Sequence, residues 1–89
     1  MTTSDPFASL TVGAFTEALA SDTPTPGGGS ASAIAGAFGA SLLSMVARLS
    51  LGRERYAPYG PTIARSIEVA EQARTRLLAL ADLDAAAFG

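Results

Sequence analysis

Apolar positions recur at helical spacing in three stretches of the chain, and they never alternate long enough to make a strand. Val12, Phe15 and Leu19 share one face of a helix predicted over residues 12–20. Thr11 is placed to cap that helix, and Leu10 and Phe15 occupy the positions of a hydrophobic staple. The following stretch, SDTPTPGGG from Ser21 to Gly29, is a loop, in which prolines fix φ and glycines open conformations that other residues avoid. A second helix is predicted over residues 30–50, closed by Gly52. A third runs over residues 62–88 with Pro61 just ahead of it. Residues 1–9 form a lead-in broken at Asp5-Pro6, and LGRERYAPYGP from Leu51 to Pro61 is a connector.

The second helix divides into three stripes at roughly 100° per residue. Ile34, Phe38, Leu42, Met45 and Leu49 form a large apolar stripe. Gly36, Gly39, Ala40 and Ala47 form a small one, where a partner helix is expected to approach closely. Ser30, Ala33, Ala37, Ser41, Ser44 and Arg48 form a small, hydroxylated stripe that ends in a cation. No stripe carries a charge before Arg48, and a helix without a solvated face is buried all round. On the third helix Ile63, Ile67, Ala70, Leu77, Ala81 and Phe88 mark the apolar arc, while Arg65, Glu68, Gln72, Thr75, Arg76 and Asp82 mark the wet side.

Helices of this length, at about 1.5 Å per residue, exceed the diameter of about 30 Å expected for a compact body of this size. The one short helix left over cannot cover them. The expected architecture is therefore all-α, with about three long antiparallel helices completed by other copies or by a missing C-terminal half. The isolated chain is not expected to be a stable monomer.

Composition narrows the chemistry. In 89 residues there are six Lys plus Arg against eight Asp plus Glu, a formal net charge of −2, which argues against a nucleic-acid partner. The absence of Cys and His excludes disulfide frameworks, thiol nucleophiles, zinc fingers and His-based triads. Without His or Lys to activate them, Ser41 and Ser44 do not read as nucleophiles. Residues 31–47 are uncharged but rich in Ala, Gly and Ser, and they sit at the lower length limit for a membrane span. They read as a buried helix in a soluble, cytoplasmic protein. No secretory signal pattern opens the chain.

Three places could carry chemistry. The run Gly27, Gly28, Gly29, Ser30 precedes and opens a helix, so its backbone N–H groups suit an anionic or carbonyl group. It lacks the Lys of a P-loop and the preceding strand of a dinucleotide site. The alternative is a simple turn with Ser30 as N-cap. Asp84 falls inside the apolar arc, where a carboxylate can serve as general acid or base, or can pair with Arg48. Arg48 could hold a substrate carboxylate bidentately, or cap its helix. Arg53, Arg55, Tyr56 and Tyr59 read either as a solvated linker or as part of a site.

In order along the chain, TVGAFTEALAS, TPTPGGGSASAIAGAFGASLLSMVARLSLGRERY and LLALADLDAAAF resemble the cyclodeaminase/cyclohydrolase family. That family includes the C-terminal domain of formiminotransferase-cyclodeaminase and stand-alone bacterial methenyltetrahydrofolate cyclohydrolases. Where its members tend to carry LTLGKKKY, this chain has LSLGRERY. The resemblance implies a domain longer than this chain, whose second half adds helices and site residues. It further implies an all-α fold, usually dimeric, acting on a folate-bound one-carbon unit. In one version water adds to methenyltetrahydrofolate and the adduct opens to 10-formyltetrahydrofolate. In the other, formiminotetrahydrofolate cyclises and releases ammonia. Neither version implies a metal or a tightly bound cofactor. The resemblance places Asp84 at the acidic position of DLDAAAF.

Overall fold

The computed structural model describes residues 6–88, and these form an all-α chain. Its helices are Val12–Ala20 (α1), Gly28–Leu51 (α2) and Gly60–Phe88 (α3), with 3-10 turns at Phe7–Ser9 and Glu54–Tyr59. There is no strand among the described residues. Met1–Asp5, Gly89 and the side chain of Phe88 lie outside the described residues, and with them part of the break expected at Asp5-Pro6 and the end of the apolar arc.

α1 covers the residues its pattern predicts, and the Thr11 hydroxyl accepts a hydrogen bond from the Ala14 N–H at 2.9 Å. The hydrophobic contact takes another form. The Phe7 ring meets Phe15 edge-on, with centroids 5.3 Å apart, and Leu10 is exposed. Asp82 explains the position of Phe7. Its Oδ1 accepts the Phe7 N–H at 2.9 Å, which ties the first turn to α3. Asp82 therefore does not simply face water, as periodicity suggests; it is half-buried.

α2 and α3 pack antiparallel, and the register can be read from side-chain pairs. Gly29 lies against Asp84, Ser30 bonds to Ala81, Gly36 abuts Leu77, and Ser44 sits beside Glu71. The contact face of α2 is its small, hydroxylated one. Ser30, Ile34, Ala37, Ala40 and Ser44 are buried there, opposite Ala70 and Ala81 of α3. Small residues win this face because they let the two backbones come close. A Cβ added at Gly36 would stand 3.1 Å from Leu77 Cδ1.

Two expectations change as a result. α2 is not buried all round: Phe38, Leu42 and Leu49 are 55%, 58% and 61% exposed, and among the described residues α3 is the only other long helix against it. Gly36 and Ala40, assigned to a partner chain from their pattern, face α3 of the same chain instead. Gly39 alone of that group has open space beside it.

The molecule is elongated, 51 × 22 × 19 Å with a radius of gyration of 16.2 Å. A compact chain of this length would have a radius near about 12 Å. The mismatch between helix length and available cover is thus visible in the shape. α2 is also the one helix among the described residues that is long and apolar enough to cross a membrane, by length and composition alone.

Candidate active site

Gly27 is extended and caps α2, so the helix begins at Gly28, two residues earlier than the pattern predicts. Ser30 is consequently not the N-cap. The Ala31 N–H closes the first helical bond to the Gly27 carbonyl at 3.0 Å, which leaves the N–H groups of Gly28, Gly29 and Ser30 without partners inside the helix. Those donors sit at the positive end of the α2 dipole. None of the described glycines has a positive φ, so the run is not there for unusual backbone conformations. Its glycines serve access and close approach instead.

Ser30 sets the approach. Its hydroxyl, fully buried, donates to the Ala81 carbonyl at 2.7 Å and stitches the start of α2 to the last turns of α3. Such a bond is worth about 0.5–1.5 kcal/mol net. The Ser30 side chain is therefore spent on structure, and the accessible backbone donors are those of Gly28 and Gly29, which are exposed. One turn beyond Ala81 on α3 comes Asp84, whose carboxylate lies over Gly29. A Cβ at Gly29 would stand 2.5 Å from Oδ2 and 2.6 Å from both Oδ1 and Cγ. Gly28, beside it, has nothing within 4 Å. Asp84 is half-buried rather than enclosed among aliphatic side chains as its place in the apolar arc suggests, and Leu80 beside it is 45% exposed. The structure thus brings together a carboxylate and an open row of backbone donors, from segments more than fifty residues apart.

Arg48 does not join them. It lies nineteen residues beyond Gly29 on the same helix, about 28 Å along the axis. The alternative in which Arg48 neutralises Asp84 is excluded by that separation. Arg48 Nε donates instead to the buried Ser44 hydroxyl at 3.2 Å. Next to Ser44, on α3, is a pair that the sequence reading passes over. Glu71 Oε1 accepts from Arg74 Nη2 at 2.7 Å and Nε at 3.2 Å. The signal for it was present: a hydroxyl stripe ending in a cation needs a polar counterpart on the facing helix, and Glu71 and Arg74 flank the apolar arc at i, i+3.

The Glu71 carboxyl is held below the ordinary carboxylate value, first by the hydrogen bond from Arg74, then by the Ser44 hydroxyl, with burial opposing and the charges of Arg74 and Arg48 assisting. A carboxylate whose folded value is depressed stabilises the fold above its unfolded value, and that contribution fades as pH falls through the folded one. Wild type and Glu71→Gln should therefore differ in urea midpoint at neutral pH and converge as the pH drops below 4.5. A constant difference across that range would show that Glu71 acts by packing alone.

Two cavities lie elsewhere. A shallow one of about 570 Å³ is lined by Glu71, Gln72, Thr75, Arg76 and Ala79. An apolar groove of about 450 Å³ runs between α1 and α2, with Phe7, Phe15, Ile34, Phe38 and Leu78 in its walls. Neither includes Asp84 or the Gly27–Ser30 run. Among the described residues there is no group of three or more His, Cys, Asp or Glu able to hold a metal ion.

A family model described as formiminotransferase-cyclodeaminase matches residues 11–89. The chain belongs to the formiminotransferase-cyclodeaminase family. Its similarity to the methenyltetrahydrofolate cyclohydrolase of Methylorubrum extorquens is 41% identity over 78 residues, 88% of this chain and 38% of that relative. The formimidoyltransferase-cyclodeaminase of Rattus norvegicus is 37% identical over 75 residues, 84% of this chain and 14% of the relative. That of Dictyostelium discoideum is 47% identical over 51 residues, 57% of this chain and 10% of the relative. The chain therefore spans well under half the length of each of these relatives. No solved structure matches it. The family match covers α1, α2, α3 and both halves of the candidate site.

Proposed function

We propose that the chain acts in folate one-carbon chemistry. It hydrolyses methenyltetrahydrofolate to 10-formyltetrahydrofolate, or cyclises formiminotetrahydrofolate with release of ammonia. The observation that carries this reading is the 41% identity to a cyclohydrolase over 88% of the chain, and the family match over residues 11–89 takes in both Asp84 and the Gly27–Ser30 run. In the hydrolytic version the Asp84 carboxylate takes a proton from water as its oxygen bonds to the carbon bridging N5 and N10. The bond from that carbon to N5 then breaks, the hydroxyl proton ends on N5, and the carbonyl forms on N10. The proton first taken by Asp84 leaves to solvent, which balances the lost cationic charge of the substrate. The N–H groups of Gly28 and Gly29 hold a carbonyl or carboxylate of the substrate, with Gly27 and Ser30 fixing their position. In the cyclodeaminase version the same carboxylate shuttles a proton to departing ammonia.

The reading carries a tetrahydrofolate derivative as substrate, no tightly bound cofactor, a homodimer or higher oligomer, a cytoplasmic location, and neither a nucleic-acid nor a membrane partner. Support for keeping α2 out of the bilayer comes from its buried hydroxyls. Ser30 and Ser44 are paired with Ala81 and Arg48 on the face toward α3. A second reading, a helical assembly module without turnover, is favoured by the exposed apolar side of α2 and by the share of the relatives that the chain spans. One spectrophotometric assay with methenyl- and formiminotetrahydrofolate separates them. Turnover of either substrate supports the enzyme and names its branch. A folded, assembled chain inert toward both leaves the module.

A further inference from the structure

We infer that Arg76 holds the carboxylate end of the substrate, so that the ligand lies along α3 from Asp84 toward the middle of the helix. This rests on the folate reading above and gives that substrate a direction. Arg48, which the sequence pattern offers for the task, lies about 28 Å along α2 from Gly29 and is too far from Asp84 to serve.

Arg76 stands apart from the other arginines. Arg48 donates to Ser44, Arg53 to the Leu49 carbonyl, Arg65 to Glu68 and Arg74 to Glu71. The Arg55 guanidinium lies 5.4 Å from the centre of the Tyr56 ring. Among the described residues Arg76 makes no such contact, and it is exposed. Its neighbours one turn away on α3 are Gln72, Ala73, Ala79 and Leu80, so its own helix offers it no carboxylate.

Its place on α3 supplies one from outside. Asp84, Leu80 and Arg76 follow at steps of four, so they form one row on the helix surface, with about 12 Å between the first and the last. The row reads acid, apolar, cation. Leu80 is 45% exposed between the two charges. The neighbouring flank of α2 is low, since Gly29 lies against Asp84 and Gly36 against Leu77. At about 12 Å the two charges stand farther apart than a Debye length of about 8 Å, so Asp84 does not neutralise Arg76.

A tetrahydrofolate carries its groups in a matching order. Beyond the reacting carbon and N10 come a benzene ring, an amide and the two carboxylates of a glutamyl group. At bond lengths of about 1.3–1.5 Å the nearer carboxylate lies roughly 10 Å from the reacting carbon. With that carbon at Asp84, the ring covers Leu80 and the carboxylate meets the Arg76 guanidinium, whose paired N–H groups take it bidentately. The row continues to Gln72, which with Thr75 and Arg76 lines the shallow cavity, so the second carboxylate finds amide and hydroxyl donors there. Glu71 at the edge of that cavity is already paired with Arg74. The pterin then points the other way, which gives its carbonyl to the N–H groups of Gly28 and Gly29.

The test compares methenyltetrahydrofolate with methenyltetrahydropteroate, the same molecule without its glutamyl group. In wild type the glutamyl group should lower KM about 10-fold, the low end for a charge-assisted bond because the row is open to water. Arg76→Gln should erase that advantage, raising KM for the folate about 10-fold while kcat and the pteroate KM stay put. Arg65→Gln removes an equal charge nineteen residues from Asp84 and should change neither constant. An Arg76→Gln chain that keeps its glutamyl preference, or weakens both compounds alike, overturns the assignment. So does an equal loss in Arg65→Gln, which would mean attraction by net charge rather than contact. Calorimetry with tetrahydrofolate and tetrahydropteroate makes the same comparison without turnover. A glutamyl preference that Arg76→Gln abolishes, in a chain that turns nothing over, keeps the assignment and ends the enzyme reading. Turnover or binding indifferent to the glutamyl group ends the assignment alone, and binding of neither compound ends both.

Discussion

Asp84→Asn is expected to lower turnover of the folate substrate by about 10²–10⁴-fold, the usual worth of a positioned proton-transfer group, with the melting transition left in place. The size follows from the chemistry: asparagine keeps the shape and one oxygen but can neither take a proton nor surrender one. The stability half of the expectation follows from the surroundings. The ion pairs among the described residues are Arg65–Glu68 and Arg74–Glu71, so removing the Asp84 charge leaves no buried cation stranded. A structural role through Arg48 would predict a loss of roughly 3–5 kcal/mol, but the helix places those two residues at opposite ends of the packed pair. Asp82→Asn is the matched control. Asparagine still offers an oxygen to the Phe7 N–H, so both rate and stability should stay near wild type. Initial rates and melting curves on the same preparations decide the matter. A folded Asp84→Asn chain at full activity ends the assignment, and a loss of rate that tracks unfolding makes the carboxylate structural.

The helices were legible because each announces itself locally. Thr11 before an apolar periodic run, the Pro/Gly loop before Ser30, and Gly52 after Leu51 mark ends with little dependence on the rest of the molecule. The site was legible in its parts, since a glycine run before a helix and a carboxylate on an apolar arc each suggest chemistry alone. What the pattern could not supply was which stripe of α2 meets α3. Periodicity assigns residues to faces, but close approach decides which face is used, and here Gly36, Ala37 and Ala40 allow an approach that Phe38 and Leu42 would block. The same gap explains Asp82, which was placed on its helix correctly, yet whose partner, the Phe7 N–H, appears only once the first turn docks against α3. Arg48 differs, because its partner Ser44 lies one turn back on α2 itself. Glu71 and Arg74 were missed because an i, i+3 pair on a long helix ordinarily reads as a solvated face.

Gly29→Ala should cost about 10²-fold in rate, as expected when a catalytic group is misplaced by about 1 Å, while changing stability by less than about 1 kcal/mol. Taken locally the substitution is welcome. Position 29 lies in the first turn of α2 with ordinary backbone angles, and alanine in a helix interior is favoured over glycine by about 0.5–1 kcal/mol. The obstacle comes from the other helix. The new Cβ would stand 2.5 Å from Asp84 Oδ2 and 2.6 Å from Cγ, distances real side chains do not sustain. Asp84 has a short side chain one turn beyond the fully buried Ala81, which anchors this end of α3, so the carboxylate rotates away rather than the helix. The helical gain and the cost of rotation then nearly cancel in stability, while the rate feels the displacement in full. Gly39→Ala, on the same helix and outside the site, is the control, because nothing lies within 4 Å of that position and no carboxylate has to move. Combining Gly29→Ala with Asp84→Asn should produce little loss beyond Asp84→Asn alone, since both act through one group. If Gly29→Ala is as active as wild type, the carboxylate does not work from its place over Gly29. If the double variant loses the two effects in multiplication, Gly29 contributes through something other than Asp84.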